Sequence, residues 1–451
     1  MSDEYSVQSV YADLLGRAPE NRMEPRMAPL WRAMEILGEP QKAYPAIHLT
    51  GTNGKTSTAR MIEAGLRAHN LRTGRFTSPH LTSVTERISI DGEPVSDETF
   101  VRIWDEIHPY LEIVDAELVA EGQPRLTYFE ALTILGFAVF ADEPVDVAVI
   151  EVGLGGVTDA TNVVDSVVSV VTPISLDHTE LLGDTPGEIA LEKAGIIKPG
   201  SFLVSAAQPT DAAQVLLEKA REAGVNYRFE GVEFGVEERS VAVGGQLVTI
   251  DGLAARYPDL VLPLHGAHQA ENAAVAVAAL EAFFGAGEKP LDLELLQDAF
   301  AMVTSPGRLE VVRTAPTVIV DAAHNPAGIK ATAEALLEAF SLSKLVVVLG
   351  VLREKDALGI LEQLRESLGD IAEEICLTQS NSPRAIPAGE LAELALDAGF
   401  DEENVHLTEK LDDALEWAVA RAESADDLAG AVLVTGSITV IAEARMLLGK
   451  A

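Results

Sequence analysis

Two stretches, VDVAVIEVG at 145–153 and SVVSVVTPIS at 166–175, constrain the fold of this chain more than any other feature. Both are short, apolar and rich in β-branched residues, without steady alternation of polar and apolar positions. A strand built this way has no face to turn to water. It must lie in a sheet covered on both sides, as parallel sheets are. Strand-like runs recur along the chain, each followed by a Gly or polar turn and then a helix-like run, and that order predicts an α/β protein.

PAIHLT (45–50) reads as another buried strand, ending at the turn GTNGKT (51–56), with a helix over 56–69. LTYFEALTILGFAVFA (126–141) reads as a helix, with Thr127 and Glu130 at capping-box spacing. DTPGEIALEKAGIIKPG (184–200) repeats the device, with Thr185 as N-cap, Pro186 at N1, Glu188 at N3 and Gly200 beyond the end. Between Tyr227 and Leu264 the pattern is mixed, and VGGQLVTIDG suggests a hairpin inserted in the first domain. A second series of strand-and-turn units follows: TVIVDAAHNP, KLVVVLGV, EEICLTQS and AVLVTGS. Ser305-Pro306-Gly307 suits a linker, which divides the chain into 1–304 and 308–451.

A length of 451 residues fits two domains, and 47% hydrophobic with 23% charged residues fits a folded one. The formal net charge of −38 argues against nucleic acid and anionic membrane as partners, since both need basic surface. An anionic substrate would need local cations inside a cleft. Cys376 is the single cysteine, which excludes an intrachain disulfide and argues against cysteine-held zinc. The opening MSDEYSVQSVYADLL is acidic and lacks the basic-then-apolar order of a signal peptide. No apolar run reaches the roughly 18 residues that span a bilayer. A cytosolic protein is expected.

GTNGKT ends like a phosphate loop but is shorter than the standard one at its front. Its glycines let backbone N–H groups approach oxygen, and the following helix offers unpaired N–H groups and a positive dipole end. Lys55 adds a cation for β/γ-phosphates, and the Thr56 hydroxyl can join a Mg²⁺ shell. Other polar residues stand where strands should end, the usual ligand crevice of such sheets. Glu151 is one; Asp177 and His178 follow the next strand; Asp321, His324 and Asn325 follow TVIV. Each has a plainer reading. His178 alone suits a cap or core histidine, Lys193 a solvent-facing helix position, and Arg308 a surface site rather than a phosphate contact. DAAHNP suits a structural turn, and Ser437 suits a helix N-cap as well as a ligand contact.

Together, TGTNGKTST, TSPHL, LTYFEALT, EVGLGG with DATN, LDHTELLGDT, EIALEKAGIIK, PGRLE and DAAHNP resemble the folylpolyglutamate and dihydrofolate synthases of the Mur ligase superfamily. The resemblance runs in family order from about Thr50 to the C-terminal TGS. It implies a P-loop-bearing Mur-ligase-like domain and a smaller Rossmann-like C-terminal α/β domain. It also implies an amide-forming reaction: a carboxylate takes the γ-phosphate of ATP, and the amine of L-glutamate displaces phosphate. The acceptor would be dihydropteroate or a reduced folate, and a monomer is expected. Residue by residue, Gly51, Thr52, Asn53, Gly54, Lys55, Thr56 and Ser57 would cradle ATP, with Asn272, Arg308 and Asp321. Ser78, Glu151 and His178 would ligate Mg²⁺, with two metal sites. Lys193 would form a carbamate with CO₂ that serves the second ion. His324 belongs to the same catalytic loop as Asp321. Thr127, Tyr128, Phe129 and Glu130 would meet the pterin, Arg87 a substrate carboxylate, and Asp159 and Ser437 the substrates.

Where the family commonly carries Arg-Leu or Arg-Trp between GLGG and DATN, this chain has Val157-Thr158. That removes a cation beside the substrate stretch. The alternatives are an enzyme that only extends glutamate tails, another Mur-type amino-acid ligase, or a nucleotide-dependent switch. A peptidoglycan-building Mur ligase fits less well, because those carry a whole domain ahead of the phosphate loop.

Overall fold

The computed structural model describes residues 6–18, 25–423 and 430–450. Met1–Tyr5 of the acidic opening lie outside the described residues.

Two β-sheets carry the architecture. The first has eight strands in the order Glu93–Pro94, Ile88–Ile90, Thr73–Phe76, Val147–Glu151, Ala46–Thr50, Ser166–Val171, Phe202–Ser205 and Asn226–Phe229. Pairing is parallel from Thr73–Phe76 to the far edge, and antiparallel only in the first two ladders. Alternate residues of one strand serve two cores. Val147 and Val149 pack with the helices Lys55–Ala68 and Ala267–Gly285, whereas Ala148 and Ile150 pack with Asp97–Ala120 and Tyr128–Asp142. This is why the run at 145–153 is apolar throughout.

The phosphate-loop strand Ala46–Thr50 is buried along its whole length, between Val147–Glu151 and Ser166–Val171. Three neighbouring strands therefore open their carboxyl ends into one crevice, near the point where the chain changes direction across the sheet.

The mixed region forms a separate antiparallel sheet of three strands, Gly235–Ala242, Gly245–Asp251 and Arg256–Leu262. The expected hairpin is its first half. The third strand, RYPDLVL, is hidden in the sequence by Pro258 and Asp259, where the ladder register shifts and Asp259 takes a φ of 56°.

The second large sheet has six strands in the order Glu310–Thr314, Thr317–Val320, Gly430–Thr435, Lys344–Leu349, Glu374–Leu377 and Val405–Leu407. All pair in parallel except the first two. The expected linker is less exposed than a tether. Ser305 is buried, and its hydroxyl meets that of Ser57 at 3.0 Å. Among the described residues, no helix is long and apolar enough to cross a membrane.

Candidate active site

A cavity of about 750 Å³ opens between the carboxyl ends of the two large sheets. Its floor is the phosphate loop. Gly51 has a φ of 147°, and a Cβ there would lie 1.9 Å from Thr172 Oγ1. Gly54 has a φ of 85°, and a Cβ would lie 2.4 Å from Asn272 Oδ1. Both positions need glycine on conformation and on space. The helix Lys55–Ala68 then starts with no side-chain cap. Its first-turn N–H groups lack intrahelical acceptors, the arrangement that binds phosphate.

Two lysines converge beneath this loop. Lys55 Nζ donates to the carbonyls of Gly51 (3.0 Å) and Thr52 (3.1 Å), and Lys193 Nζ donates to the same Gly51 carbonyl at 2.9 Å. Lys193 is 3% exposed, which overturns the solvent-facing reading. Burial, and then the Lys55 charge, push its pKa down to about 7. Burial also lowers Lys55, against the pull of Glu151 and Asp177.

Glu151 is 1% exposed and accepts the Thr56 hydroxyl on both oxygens, at 3.0 and 2.9 Å. Burial pushes its pKa up, while Lys55, Thr56 and the Ser78 N–H hold it down. Glu151 with the hydroxyls of Thr56 and Ser78 offers the oxygen donors that Mg²⁺ prefers. Among the described residues, no group of three or more His, Cys, Asp or Glu side chains is arranged to hold a metal ion. The donor set therefore fits an ion that keeps waters and phosphate oxygens in its shell, not one caged by protein. His178 begins the short helix Thr179–Leu182 with no side-chain cap bond, and its ring meets Lys355 instead.

That contact joins the two halves of the molecule. Lys355 Nζ lies 2.8 and 3.0 Å from the Asp177 oxygens and 2.9 Å from His178 Nε2. Burial and Lys355 push His178 down to about 4. Burial works against the Asp177 carboxylate, yet His324 and Lys355 hold it well below the usual range. His324 Nδ1 is 2.9 Å from the Ala322 carbonyl and Nε2 is 3.4 Å from Asp177 Oδ2. Its pKa is lowered by burial and by Lys355, against the pull of Asp177.

The other expected residues divide into those the cavity exposes and those it does not. Arg308, Asn272, Asp321 and Ser437 line it. Asp321 also has a full set of partners of its own, the N–H groups of Leu309 and Ala323 at 2.9 Å and the Thr332 hydroxyl at 2.8 Å. Ser437 is both things expected of it, a cavity residue and the N-cap of Ile438–Leu447. Ser57 lines the cavity with its hydroxyl tied to Ser305.

On the far wall, Thr127, Phe129, Glu130 and Asp159 reach the cavity. The Thr127–Glu130 capping box forms as expected. The Glu130 carboxylate is also gripped by Arg26 at 3.2 and 3.0 Å. Asp159 accepts from the N–H groups of Leu154 and Thr161, at 2.9 and 3.0 Å. Arg87 and Tyr128 do not line the cavity. Arg87 is buried behind the wall, with Nε on His80 Nδ1 at 2.8 Å and its guanidinium 5.3 Å from the centre of the Tyr128 ring.

Sequence reasoning missed Lys355 and Arg384, which both line the cavity. The signal for Lys355 was its place just past a parallel strand, Lys344–Leu349. REKD looks like any solvated charge run, which masked it.

The comparisons with known proteins agree with this geometry. The Mur ligase middle domain matches residues 49–280, and the Mur ligase glutamate ligase domain matches residues 307–438. The chain is 45% identical over 453 residues to a dihydrofolate synthase/folylpolyglutamate synthase of Mycobacterium tuberculosis, covering 96% of this chain and 92% of that one. It is 35% identical over 416 residues to a folylpolyglutamate synthase of Lacticaseibacillus casei, covering 92% of each. The structure of Mycobacterium tuberculosis folylpolyglutamate synthase complexed with ADP and AMPPCP superposes with a TM-score of 0.92 at 43% identity, over 99% of this chain and 98% of that one. A phosphate loop and a cation-bearing C-terminal sheet facing each other across one cavity, together with these matches, place the chain in the Mur ligase family, as an ATP-dependent ligase related to the dihydrofolate and folylpolyglutamate synthases.

Proposed function

We propose that this enzyme joins L-glutamate to dihydropteroate and to reduced folates, extending a γ-linked glutamate tail at the expense of ATP. The observation that carries the reading is the opposition of two walls. One holds an uncapped helix N-terminus beside a buried carboxylate, and the other brings Lys355, Arg384 and His324 to the same space. A carboxylate is a poor electrophile, and its meeting with ATP brings two anions together. The loop amides and Lys55 would hold the terminal phosphates while the acceptor carboxylate attacks the γ-phosphorus and ADP leaves. The glutamate amine then adds to the acyl carbonyl, and orthophosphate leaves from the tetrahedral carbon. The amine loses a proton in this step, and the departing orthophosphate can carry it away, while His324, whose ring nitrogens face the Ala322 carbonyl and Asp177, helps hold Asp177 in place.

Ser78, Glu151 and His178 are the proposed ligands of Mg²⁺, which when bound neutralises phosphate charge. His178 would complete that set through Nε2, the atom that Lys355 meets in this structure. Lys193 suits the carbamate reading, because a pKa of about 7 leaves much of the amine neutral and nucleophilic at physiological pH. A cytosolic monomer belongs to the same reading, and sedimentation would report the oligomeric state.

A second reading, tail extension alone, has one observation in its favour. Thr158 lines the cavity and Val157 is 44% exposed, so no cation stands at this point of the acceptor wall. Product mass after incubation with ATP, Mg²⁺ and L-glutamate separates the two. Glutamate added to both dihydropteroate and tetrahydrofolate supports the first reading. Addition to tetrahydrofolate alone supports the second, and addition to neither by folded, ATP-binding protein removes both.

A further inference from the structure

Asn325 sits where the two halves of the cavity meet, and the proposed chemistry gives it no task. It is 2% exposed and caps the helix Pro326–Ala339, with Oδ1 accepting the Gly328 N–H at 2.8 Å. That cap fixes the orientation of the amide, since a flipped group would set its NH₂ against an N–H donor. The remaining capacity of the side chain is spent across the cleft. Asn53 Nδ2 donates to Asn325 Oδ1 at 3.3 Å, and Asn325 Nδ2 donates to Asn53 Oδ1 at 3.1 Å and to Asp177 Oδ2 at 3.3 Å. Asn53 belongs to the phosphate loop. Asp177 holds Lys355 and faces His324. One buried amide therefore ties the nucleotide floor, the cation-bearing wall and a helix start together.

We propose that Asn325 is a positioning residue that couples nucleotide occupancy of the phosphate loop to the placement of Asp177, which follows the strand Ser166–Val171 on the loop's own side, and through Asp177 to the placement of Lys355 on the opposite wall. The proposal rests on the reading of the loop as the ATP site. An anion settling on the loop amides fixes the loop that carries Asn53. The reciprocal amide pair passes that restraint to Asn325, whose other N–H holds Asp177 and, through it, the Lys355 ammonium.

Asn325→Ser isolates the coupling. A serine keeps the N-cap, since Ser and Asn cap equally well, and loses both donations across the cleft. The experiment is hydrogen exchange on the full chain, with and without AMPPCP and Mg²⁺, without acceptor or glutamate. The wild type is expected to slow exchange in residues 51–57 and also in 321–325 and 352–357. The variant is expected to slow it in 51–57 alone, while still folding and melting in one cooperative transition. In turnover, the KM for L-glutamate should rise about tenfold while the KM for ATP changes less than about twofold, a coupling of ordinary size. Asn325→Thr repeats the test should the serine variant fold poorly. Protection that spreads in the variant as in the wild type overturns the proposal. So does an equal loss of AMPPCP binding and glutamate use, which marks a merely structural residue. Failure of the wild type to use glutamate would retire the proposed reaction and leave the AMPPCP comparison standing.

Discussion

The two walls of the cavity use opposite means to meet anions. The first sheet presents backbone and short side chains: glycines at positive φ, an uncapped helix start, and the Thr56 hydroxyl and Ser78 N–H on Glu151. Its cations, Lys55 and Lys193, are folded back onto the Gly51 carbonyl. The second sheet presents long charged side chains on the loops after its strands, each already paired in this structure. Lys355 is held by Asp177, and Arg384 by Glu354. A phosphate bound by the first wall meets preorganised dipoles. A carboxylate bound by the second would have to displace a resident carboxylate, Asp177 from Lys355 or Glu354 from Arg384.

On this contrast, damage to the first wall should strike turnover and damage to the second should strike substrate affinity. The largest effect is expected for Glu151→Gln, which keeps shape and loses the charge. Its kcat should fall on the order of 10²–10³-fold, as when one preorganised electrostatic group is removed, while AMPPCP binding partly survives in a calorimetric titration. Full turnover in this variant would sink the role given to Glu151.

Lys355→Met comes next. It strips the largely enclosed Asp177 carboxylate, 10% exposed, of its lysine, and the KM for L-glutamate should rise about tenfold or more while the KM for ATP stays near wild type. The same change should cost about 3 kcal/mol of stability in denaturant titrations, the scale for breaking a buried pair from one side. A rise in the KM for ATP instead would erase the distinction between the walls.

A smaller and graded effect belongs to Lys193. Its folded pKa of about 7 lies below the ordinary lysine value, so between about pH 7 and 10.5 the unfolded chain binds more protons than the folded one. Stability should therefore rise with pH through that window relative to Lys193→Met, and below about pH 7 the difference should be flat. The carbamate reading adds that CO₂-dependent activity climbs through about pH 7. Parallel melting curves across the whole range would contradict the burial seen here. The smallest effect is expected at the outer tie between the two halves, Arg239 with Glu338. Arg239→Ala should cost less than about 1 kcal/mol and leave the kinetics unchanged, because the pair is partly solvated and screened.

What the sequence made legible was local. The capping boxes at Thr127 and Thr185 formed because three-residue spacing sets them. The phosphate loop was legible because its glycines answer to backbone conformation. What stayed hidden depended on distant partners. Lys193 reads as a surface residue from its own helix, and only the approach of Gly51 explains its burial. Lys355 gains meaning from Asp177 and His178, which lie on the other sheet. The four-residue stretch expected to meet the substrate divides for a geometric reason. Successive helical residues turn by about 100°, so Tyr128 faces the wall behind Thr127 and Glu130 and packs with Arg87.

The measurement that tests the central claim most directly follows oxygen. An acceptor labelled with ¹⁸O in its carboxylate is incubated with the enzyme, ATP, Mg²⁺ and L-glutamate, and the released orthophosphate is weighed by mass spectrometry. Attack of the carboxylate on the γ-phosphorus, followed by loss of phosphate from carbon, carries one labelled oxygen into each phosphate. Singly labelled phosphate in step with amide formation is the predicted result. Unlabelled phosphate alongside the same amide product would contradict the acyl-phosphate account of this site.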